Sequence, residues 1–276
     1  MRTTYAGVLR NTADIRSLGL LAVILGLESS AIIFFRAVPP LALTPLLFLL
    51  AMAVFTATLI NHNHRHLPMF HQPWANRFLN YVLTMAMGAP STRLHAVHML
   101  NHHKSYRTTD DWSHYSLAGN GVGIRRTMTY YINATLSMGR NRGSLQMTSE
   151  DRRQLLIEYA FFALWVVGWL TFDFVAAATV LAAAYLGGQF ILLIANLINH
   201  DHCDLSSPFN LARTFDSRWE NWLFLNHGFH AVHHRRTTLH WSKLRQVHES
   251  HFREKTDPDL QHKSFLVYFF RHYVLS

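Results

Sequence analysis

The sequence has little charge and almost no cysteine. Charged residues make up 15% of the 276 residues, whereas a soluble domain carries about 25%. Apolar residues make up 50% of the chain. This balance argues against a soluble globular protein and favours a membrane protein. Cys203 is the single cysteine, which excludes an internal disulfide framework and any CxxC motif.

Long apolar runs occur at four places in the chain. A helix needs roughly 20 mostly apolar residues to cross about 30 Å of hydrocarbon. Residues 17–35, 41–60, 155–172 and 174–198 meet this requirement. They predict an all-α integral membrane bundle of four transmembrane helices, because four such runs disfavour the buried helices of a soluble protein.

Two details of these runs add to the prediction. Only Asp173 separates the last two runs, so we expect them to form a tight hairpin. A further apolar run at residues 78–89 is too short to cross a bilayer. It fits a helix in the membrane interface or a re-entrant segment.

The distribution of basic residues predicts the orientation of the spans. All 25 lysine and arginine residues except Arg36 lie before the first span, between the second and third, or after the fourth. By the positive-inside rule, these regions and both chain termini are cytoplasmic. Topology, with the lipid bilayer as partner, therefore explains the net charge of +9 without nucleic acid. We predict one membrane domain over residues 1–276, with a cytoplasmic cap from 61–154 and 199–276.

Histidine is absent from the four spans and abundant beside them. All 20 histidines lie within residues 62–114 and 200–272, on the predicted cytoplasmic side. The segments HNHRH, HAVHMLNHH and HGFHAVHH each contain a pair of histidines four residues apart, which share one face of a helix. His64 is two residues from His62 and would point away from it. This repeated spacing predicts a metal site where the helices leave the lipid.

The well-spaced histidines are too many for one ion. A metal site commonly takes about four protein ligands, so nine imidazoles suit two ions with four or five ligands each. Imidazole binds iron, copper, zinc or nickel, and the spacing alone does not identify the element. The predicted ligands are His62, His66, His98, His102, His103, His200, His230, His233 and His234.

These segments resemble the histidine boxes of the membrane fatty acid desaturase superfamily. The resemblance extends from about His62 to Trp241 and includes the order and spacing of the boxes. HNHRH resembles the first box, HMLNHHKSYRTTDDW the second and NWLFLNHGFHAVHHRRTTLHW the third, while NLINHDHCD resembles the segment with a lone ligand. The resemblance implies two iron ions as cofactors, held by the nine histidines, with O2 as co-substrate.

Other residues near the boxes are then expected to support the ligands. The resemblance implies a structural or ligand-orienting role for four further histidines, which are His64, His95, His227 and His240. Spacing alone excludes only His64 as a ligand. Polar residues beside the boxes are predicted to orient the ligand rings; together with His227 they are Asp110, Asp111, Asp201 and Asn226. The chain departs from the family pattern at RRTTLHW, which lacks the usual proline, and at His202 and His227.

The sequence thus predicts an O2-dependent diiron oxidase of aliphatic C–H bonds, and the resemblance favours a fatty acyl desaturase. Hydroxylation of an acyl chain or another hydrophobic metabolite stays open, because both reactions begin with the same hydrogen abstraction. The expected substrate is an acyl group carried as lipid, acyl-CoA or acyl carrier protein. No HPGG haem motif is present, so we expect a separate electron donor such as ferredoxin or cytochrome b5 with its reductase.

A membrane zinc-binding or metal transport protein is the alternative from a different class. Transport places ionisable residues in the middle of spans, where this sequence offers few candidates, Glu28 and Gln189 with the neighbouring glycines. All histidines lie at one predicted membrane face, with no path across the bilayer. HExxH is absent, which disfavours a zinc hydrolase.

Overall fold

The computed structural model describes residues 7–275, apart from the side chain of Arg142, and these residues are mostly helical. The α-helices are α1 Asp14–Ile33, α2 Pro40–His66, α3 Pro73–Met87, α4 Ser91–His95, α5 His103–Ser105, α6 Gly123–Asn141, α7 Ser149–Phe172, α8 Phe174–His200, α9 Arg218–Leu223, α10 His230–Arg235, α11 Leu244–Val247 and α12 Phe265–Phe269.

Shorter elements connect the α-helices. The π-helices are Ala96–His102, His248–Phe252 and Phe270–Val274. The 3-10 helices are Phe35–Ala37, Tyr115–Ala118, Arg142–Ser144, His227–Phe229, Trp241–Lys243 and Pro258–Leu260. Two short strands, β1 Thr214–Phe215 and β2 Gln261–His262, pair in parallel with Thr214 opposite Gln261.

The four predicted spans are confirmed as helices, and two of them continue past the C-terminal ends of their apolar runs. Helices α1, α2, α7 and α8 are each long and apolar enough to cross a membrane. Helix α2 continues past residue 60 to His66, and the helix stops two residues before Pro68, because proline disfavours helical conformation in the residue that precedes it. Helix α8 continues to His200. Both extensions place histidines on rigid helix ends. The predicted position of the two chain ends concerns residues outside the described range.

The chain divides into two compact units. The first comprises the chain up to Thr92 together with Glu150–Gly187, and the second comprises Arg93–Ser149 and the chain from Gly188 onward. Residues 61–92 therefore pack with the first unit, although the sequence predicts them as part of the cap. That all these segments form one membrane domain stays a prediction.

The core of the first unit lies between helices α1, α2 and α8. On α1 the buried residues recur every three or four positions, as expected for one helical face, and they include Ile24, Glu28 and Ile32. Ile32 belongs to an apolar cluster with Leu50 and Val54 of α2 and residues of α8. This tightly packed centre fixes the direction in which α2 presents its last turn.

Helices α7 and α8 form the predicted tight hairpin. The single residue Asp173 separates them, and its carboxylate accepts a bond of 3.1 Å from the N–H of Ala176 in the first turn of α8. Trp165 of α7 donates to the hydroxyl of Tyr185 on α8 at 3.0 Å. Glu158 is the one buried residue of α7. Part of the apolar surface of this helix packs on the core through residues such as Phe162 and Trp169, while Leu156 and Leu164 are exposed.

Helix α3 contains residues 78–87 of the apolar run at 78–89. Its buried face packs against α1 and α2, while Trp74 and Phe78 are exposed. The helix ends at Gly88, which has a left-handed φ of 67° and lies against the ring of Tyr185. Such a short amphipathic helix with exposed aromatic residues fits the predicted interfacial position.

Polar contacts within the first unit fix the start of α4. The Ser91 hydroxyl donates to the side-chain carbonyl of Asn61 at 2.5 Å. Asn61 directly precedes His62, the first histidine of α2. The N–H and hydroxyl of Thr92 both donate to the buried carboxylate of Glu158 at 2.8 Å. The helix that follows carries the second group of histidines.

Candidate metal centre

The first group of histidines lies on the last turns of α2. His62 and His66 share one face of the helix, and their ring centroids are 4.8 Å apart. His64 is buried and uses its Nδ1 to accept a bond of 3.3 Å from the N–H of Met69. The predicted difference in direction between His64 and its two neighbours therefore agrees with their separate contacts.

The second group lies on a helix that changes type within the motif. Residues Ala96–His102 form a π-helix between α4 and α5. A π-helix pairs residue i with residue i+5, so residues five apart lie nearly above one another. His98 and His103 accordingly have ring centroids 4.4 Å apart, closer than the 5.3 Å between His98 and His102. The π-helix brings all three histidines to one side.

The lone histidine predicted after the last span is the last residue of α8. The Nδ1 of His200 bonds to the backbone carbonyl of Leu211 at 3.0 Å. Because a carbonyl only accepts, Nδ1 carries the proton and Nε2 keeps its lone pair. That Nε2 is buried and has no hydrogen-bond partner among the described residues. An orphaned acceptor of this kind is suited to a metal ion.

The third group follows a tight change of chain direction. Leu225 and Asn226 both have positive φ, and a single 3-10 turn then leads into α10. On α10, His230 and His234 are one turn apart, with ring centroids at 4.6 Å. His233 points its Nε2 to within 3.3 Å of the Nε2 of His103.

Four histidines of the second unit converge on one buried point. One ligand atom from each lies within 4.8 Å of the others, and all four residues are buried: His102, His200, His230 and His234. The Nε2 of His234 is 3.0 Å from that of His230 and 3.4 Å from that of His102. Two nitrogens bound to one ion by bonds of about 2.1 Å, at angles of about 90 to 110°, lie about 3.0 to 3.4 Å apart. The donor set therefore fits a metal ion.

Burial also keeps these rings in the form that binds metal. Burial lowers the pKa of His234 well below its ordinary value, and the neighbouring histidines lower it further. A neutral imidazole has a free lone pair, whereas a protonated one has none. The low pKa therefore keeps the His234 ring neutral, with a lone pair that can bind a cation.

Asp111 orients one of the four rings. Its carboxylate accepts from Nδ1 of His102 at 2.8 Å and from the hydroxyl of Ser113 at 2.8 Å. Burial opposes ionisation of Asp111, but its bonds to His102 and Ser113 outweigh that effect and lower its pKa to about 2. A carboxylate on Nδ1 directs the Nε2 lone pair of His102 toward the cluster.

Behind Asp111, a buried network reaches α6 and α8. The Tyr130 hydroxyl donates to the carbonyl of Ser113 at 2.7 Å. The amide of Asn196 donates to the same carbonyl at 3.0 Å and to the Tyr130 hydroxyl at 2.9 Å. Linked hydrogen bonds of this kind strengthen one another in a low-dielectric environment. The network therefore stabilises the loop that supplies Asp111.

Asp201, the residue after His200, holds the end of α8 in a different way. Its carboxylate accepts from Arg126 at 2.7 Å and from the Tyr273 hydroxyl at 2.7 Å. The guanidinium of Arg213 donates to the carbonyl of Ile198 at 2.9 Å and to the carbonyl of Asp201. These contacts fix the backbone on both sides of His200.

The other residues predicted to orient ligands have more distant contacts. The carboxylate of Asp110 is exposed and accepts from Thr108 at 3.4 Å. The amide of Asn226 donates to the carbonyl of Trp241 at 3.0 Å. His227 lies 3.2 Å from the amide of Asn199, with its ring 5.0 Å from that of His230. Their roles toward the ligands stay predictions.

A comparison with protein families matches residues 39–264 to the family described as fatty acid desaturase. The match covers most of the chain and includes every histidine discussed above. The chain belongs to the fatty acid desaturase family. The comparison with curated proteins gave no match. Membership of the desaturase family, together with four apolar helices, makes this protein a membrane oxidoreductase.

One departure from the family pattern, His202, lies at a position with left-handed backbone conformation. His202 has a φ of 54°, a region that favours glycine or asparagine. Its side chain is exposed, with Nε2 3.6 Å from the carboxylate of Asp201. Sequence reasoning did not identify Tyr130, Ser113 or Asn196, because each lies far along the chain or outside the histidine motifs.

Proposed function

We propose that this protein is an O2-dependent diiron oxidase that desaturates a fatty acyl chain. The observation that carries the proposal is the buried four-histidine cluster, with its 3.0 and 3.4 Å nitrogen separations, in a chain of the fatty acid desaturase family. When bound, two iron ions would reduce O2 and supply the oxidant that removes hydrogen from an unactivated C–H bond.

The chain contributes ligands, orientation and a dry environment. One ion would take the four clustered residues, His102, His200, His230 and His234. The second would take the remaining predicted ligands, His62, His66, His98, His103 and His233. Asp111 and the carbonyl of Leu211 hold protons on the Nδ1 atoms of His102 and His200, which leaves both Nε2 atoms free to bind. Burial of the four rings excludes water, which protects reactive species from side reactions.

Two expectations about partners belong to the same proposal. The substrate is an acyl group presented as lipid, acyl-CoA or acyl carrier protein. Electrons come from a separate protein such as ferredoxin or cytochrome b5 with its reductase. We also propose that the metal site and both termini face the cytoplasm.

Metal analysis and product analysis together test the proposal. The full chain is purified from membranes, its iron and zinc are quantified, and it is then supplied with an electron donor and acyl substrates. Two irons per chain and products that have lost two hydrogens support the desaturase. Products that have gained one oxygen would identify a hydroxylase on the same scaffold. Zinc alone would contradict the oxidase and favour the zinc-binding alternative.

A further inference from the structure

The outward face of α6 carries an apolar stripe that no described residue covers fully. Four side chains spaced four residues apart are between 41 and 52% exposed: Ile124, Met128, Ile132 and Leu136. The opposite face is fixed inside the unit by Thr127, Tyr130 and Ala134, which are fully buried. The helix therefore has no way to turn its apolar stripe inward.

The charges of α6 are all of one sign. The helix contains Arg125, Arg126 and Arg140 and no acidic residue. Arg126 is bound to Asp201, whereas Arg125 and Arg140 are exposed. Exposed arginines beside an apolar face are typical of helices that lie in a membrane interface, where they meet anionic lipid headgroups.

A short linker connects α6 to α7, a candidate membrane span. Residues 142–148 separate the end of α6 from the start of α7, which is a candidate membrane span. This linker reaches at most about 30 Å when fully extended. The end of α6 is therefore within one linker length of the start of α7.

The C-terminal segment that packs against α6 also has exposed apolar side chains. The π-helix Phe270–Val274 packs against α6, and Thr127 donates to the carbonyl of Tyr273 at 2.9 Å. Phe270 is 45% exposed and Leu275 is 78% exposed, beside the exposed Arg271. Two adjacent helices thus present apolar and basic side chains together.

We propose that the outward face of α6 is a lipid-binding surface that lies in the bilayer interface. The stripe would rest at the boundary of the acyl chains, and Arg125 and Arg140 would contact anionic headgroups. The inner face of the same helix supplies Arg126 and Tyr130 to the hydrogen bonds behind the metal cluster. Contact with lipid would therefore set the depth at which the metal cluster faces the membrane.

Site-specific fluorescence in vesicles tests this surface. Ile132→Cys and Leu136→Cys are labelled with a small fluorophore in the full chain, and Glu254→Cys, an exposed polar position, is the matched control. The wild-type chain is labelled in parallel, because its single cysteine, Cys203, is only 7% exposed. Vesicles contain phosphatidylcholine and phosphatidylglycerol, with either brominated acyl chains or aqueous iodide as quencher.

We expect brominated lipid to quench the labels at positions 132 and 136 strongly and iodide to quench them weakly, with the reverse at position 254. Removing phosphatidylglycerol should weaken the lipid quenching, because Arg125 and Arg140 then lose their anionic partners. Iodide quenching at 132 and 136 equal to that at 254 would place the stripe in water and overturn the proposal. Labels shielded from both quenchers would also overturn it, since a protein would then cover the stripe.

Discussion

Adjacent residues of one motif have separate tasks in this protein. In HNHRH, His62 and His66 direct their rings to the same side of α2, while His64 is buried and accepts a bond from the backbone of Met69. The same division recurs in DDW, where the carboxylate of Asp111 accepts from His102 and the carboxylate of Asp110 accepts from Thr108. Each pair offers a functional variant and a matched control.

His66→Ala should lower iron content, whereas His64→Ala should lower stability without loss of iron. His66→Ala removes a proposed ligand, so we expect iron content and turnover to fall together. His64→Ala should keep both irons but lower thermal stability, because the N–H of Met69 loses its buried acceptor at a cost of about 1–3 kcal/mol. Iron per protein and the melting temperature in detergent measure the two effects. Equal loss of iron in both variants would show that the ligand set is wrong at this motif.

Asp111→Asn should weaken metal binding far more than Asp110→Asn. The amide no longer holds the proton on Nδ1 of His102, and loss of such a partner commonly reduces metal affinity or activity about 10- to 100-fold. Asp110→Asn changes an exposed carboxylate that contacts no histidine ring in the described structure. Iron retention under increasing chelator concentration compares the two. Similar retention in both variants would remove Asp111 from its proposed role.

The sequence indicates candidate ligands more readily than the residues that hold them in place. Histidine pairs such as His230 and His234 are recognised from spacing because a helix has a fixed period. The acceptor for His200 is a backbone carbonyl, that of Leu211, and carries no side-chain signal. Tyr130 and Asn196 meet Ser113 only through the fold. These supports depend on long-range packing and are not visible in a local motif.

At the scale of elements, apolar runs predict where the helices lie but not how they end. Helix α2 continues six residues beyond its apolar run, because backbone hydrogen bonds form with polar as well as apolar side chains. The helix ends only where Pro68 disfavours helical conformation in the preceding residue. The π-helix Ala96–His102 was not predicted either. Four-residue spacing implies an α-helix, and the extra residue per turn leaves no compositional trace.

Two glycines in the spans should respond in opposite ways to alanine. A Cβ on Gly187 of α8 would lie 2.7 Å from the Cβ of Ala51 on α2, so Gly187→Ala forces the two helices apart. Overpacking of this kind typically costs about 1–3 kcal/mol. Gly168 of α7 has no atom within 4 Å of such a Cβ, so Gly168→Ala should gain up to about 1 kcal/mol in helix propensity. Melting temperatures in detergent should fall for the first and hold or rise for the second.

At the scale of the whole molecule, topology remains the broadest prediction. Reporter tags at the N-terminus, near Arg142 and at the C-terminus should all report the cytoplasm, because every basic residue but Arg36 belongs to those regions. A tag near Arg36, between the first two spans, is the matched control and should report the opposite side. A lumenal or periplasmic C-terminus would place the two histidine regions on different sides of the membrane and exclude a shared metal centre.

The length of helix α8 should make its tilt depend on bilayer thickness. It runs without a break for 27 residues, about 40 Å, from Phe174 to His200, whereas the hydrocarbon is about 30 Å thick. A helix longer than the hydrocarbon tilts when the bilayer thickness changes. Tilting of α8 would move His200, the proposed ligand at its end.

If α8 spans the bilayer, the activity of this protein should depend on the thickness of the bilayer. We expect turnover in vesicles of graded acyl-chain length to peak at one thickness and to decline on either side. Equal turnover across the series would show that bilayer thickness does not affect the site through α8. If the peak is found and the product is a desaturated membrane lipid, each new double bond would thin the bilayer around α8, so the product would change the rate of its own formation.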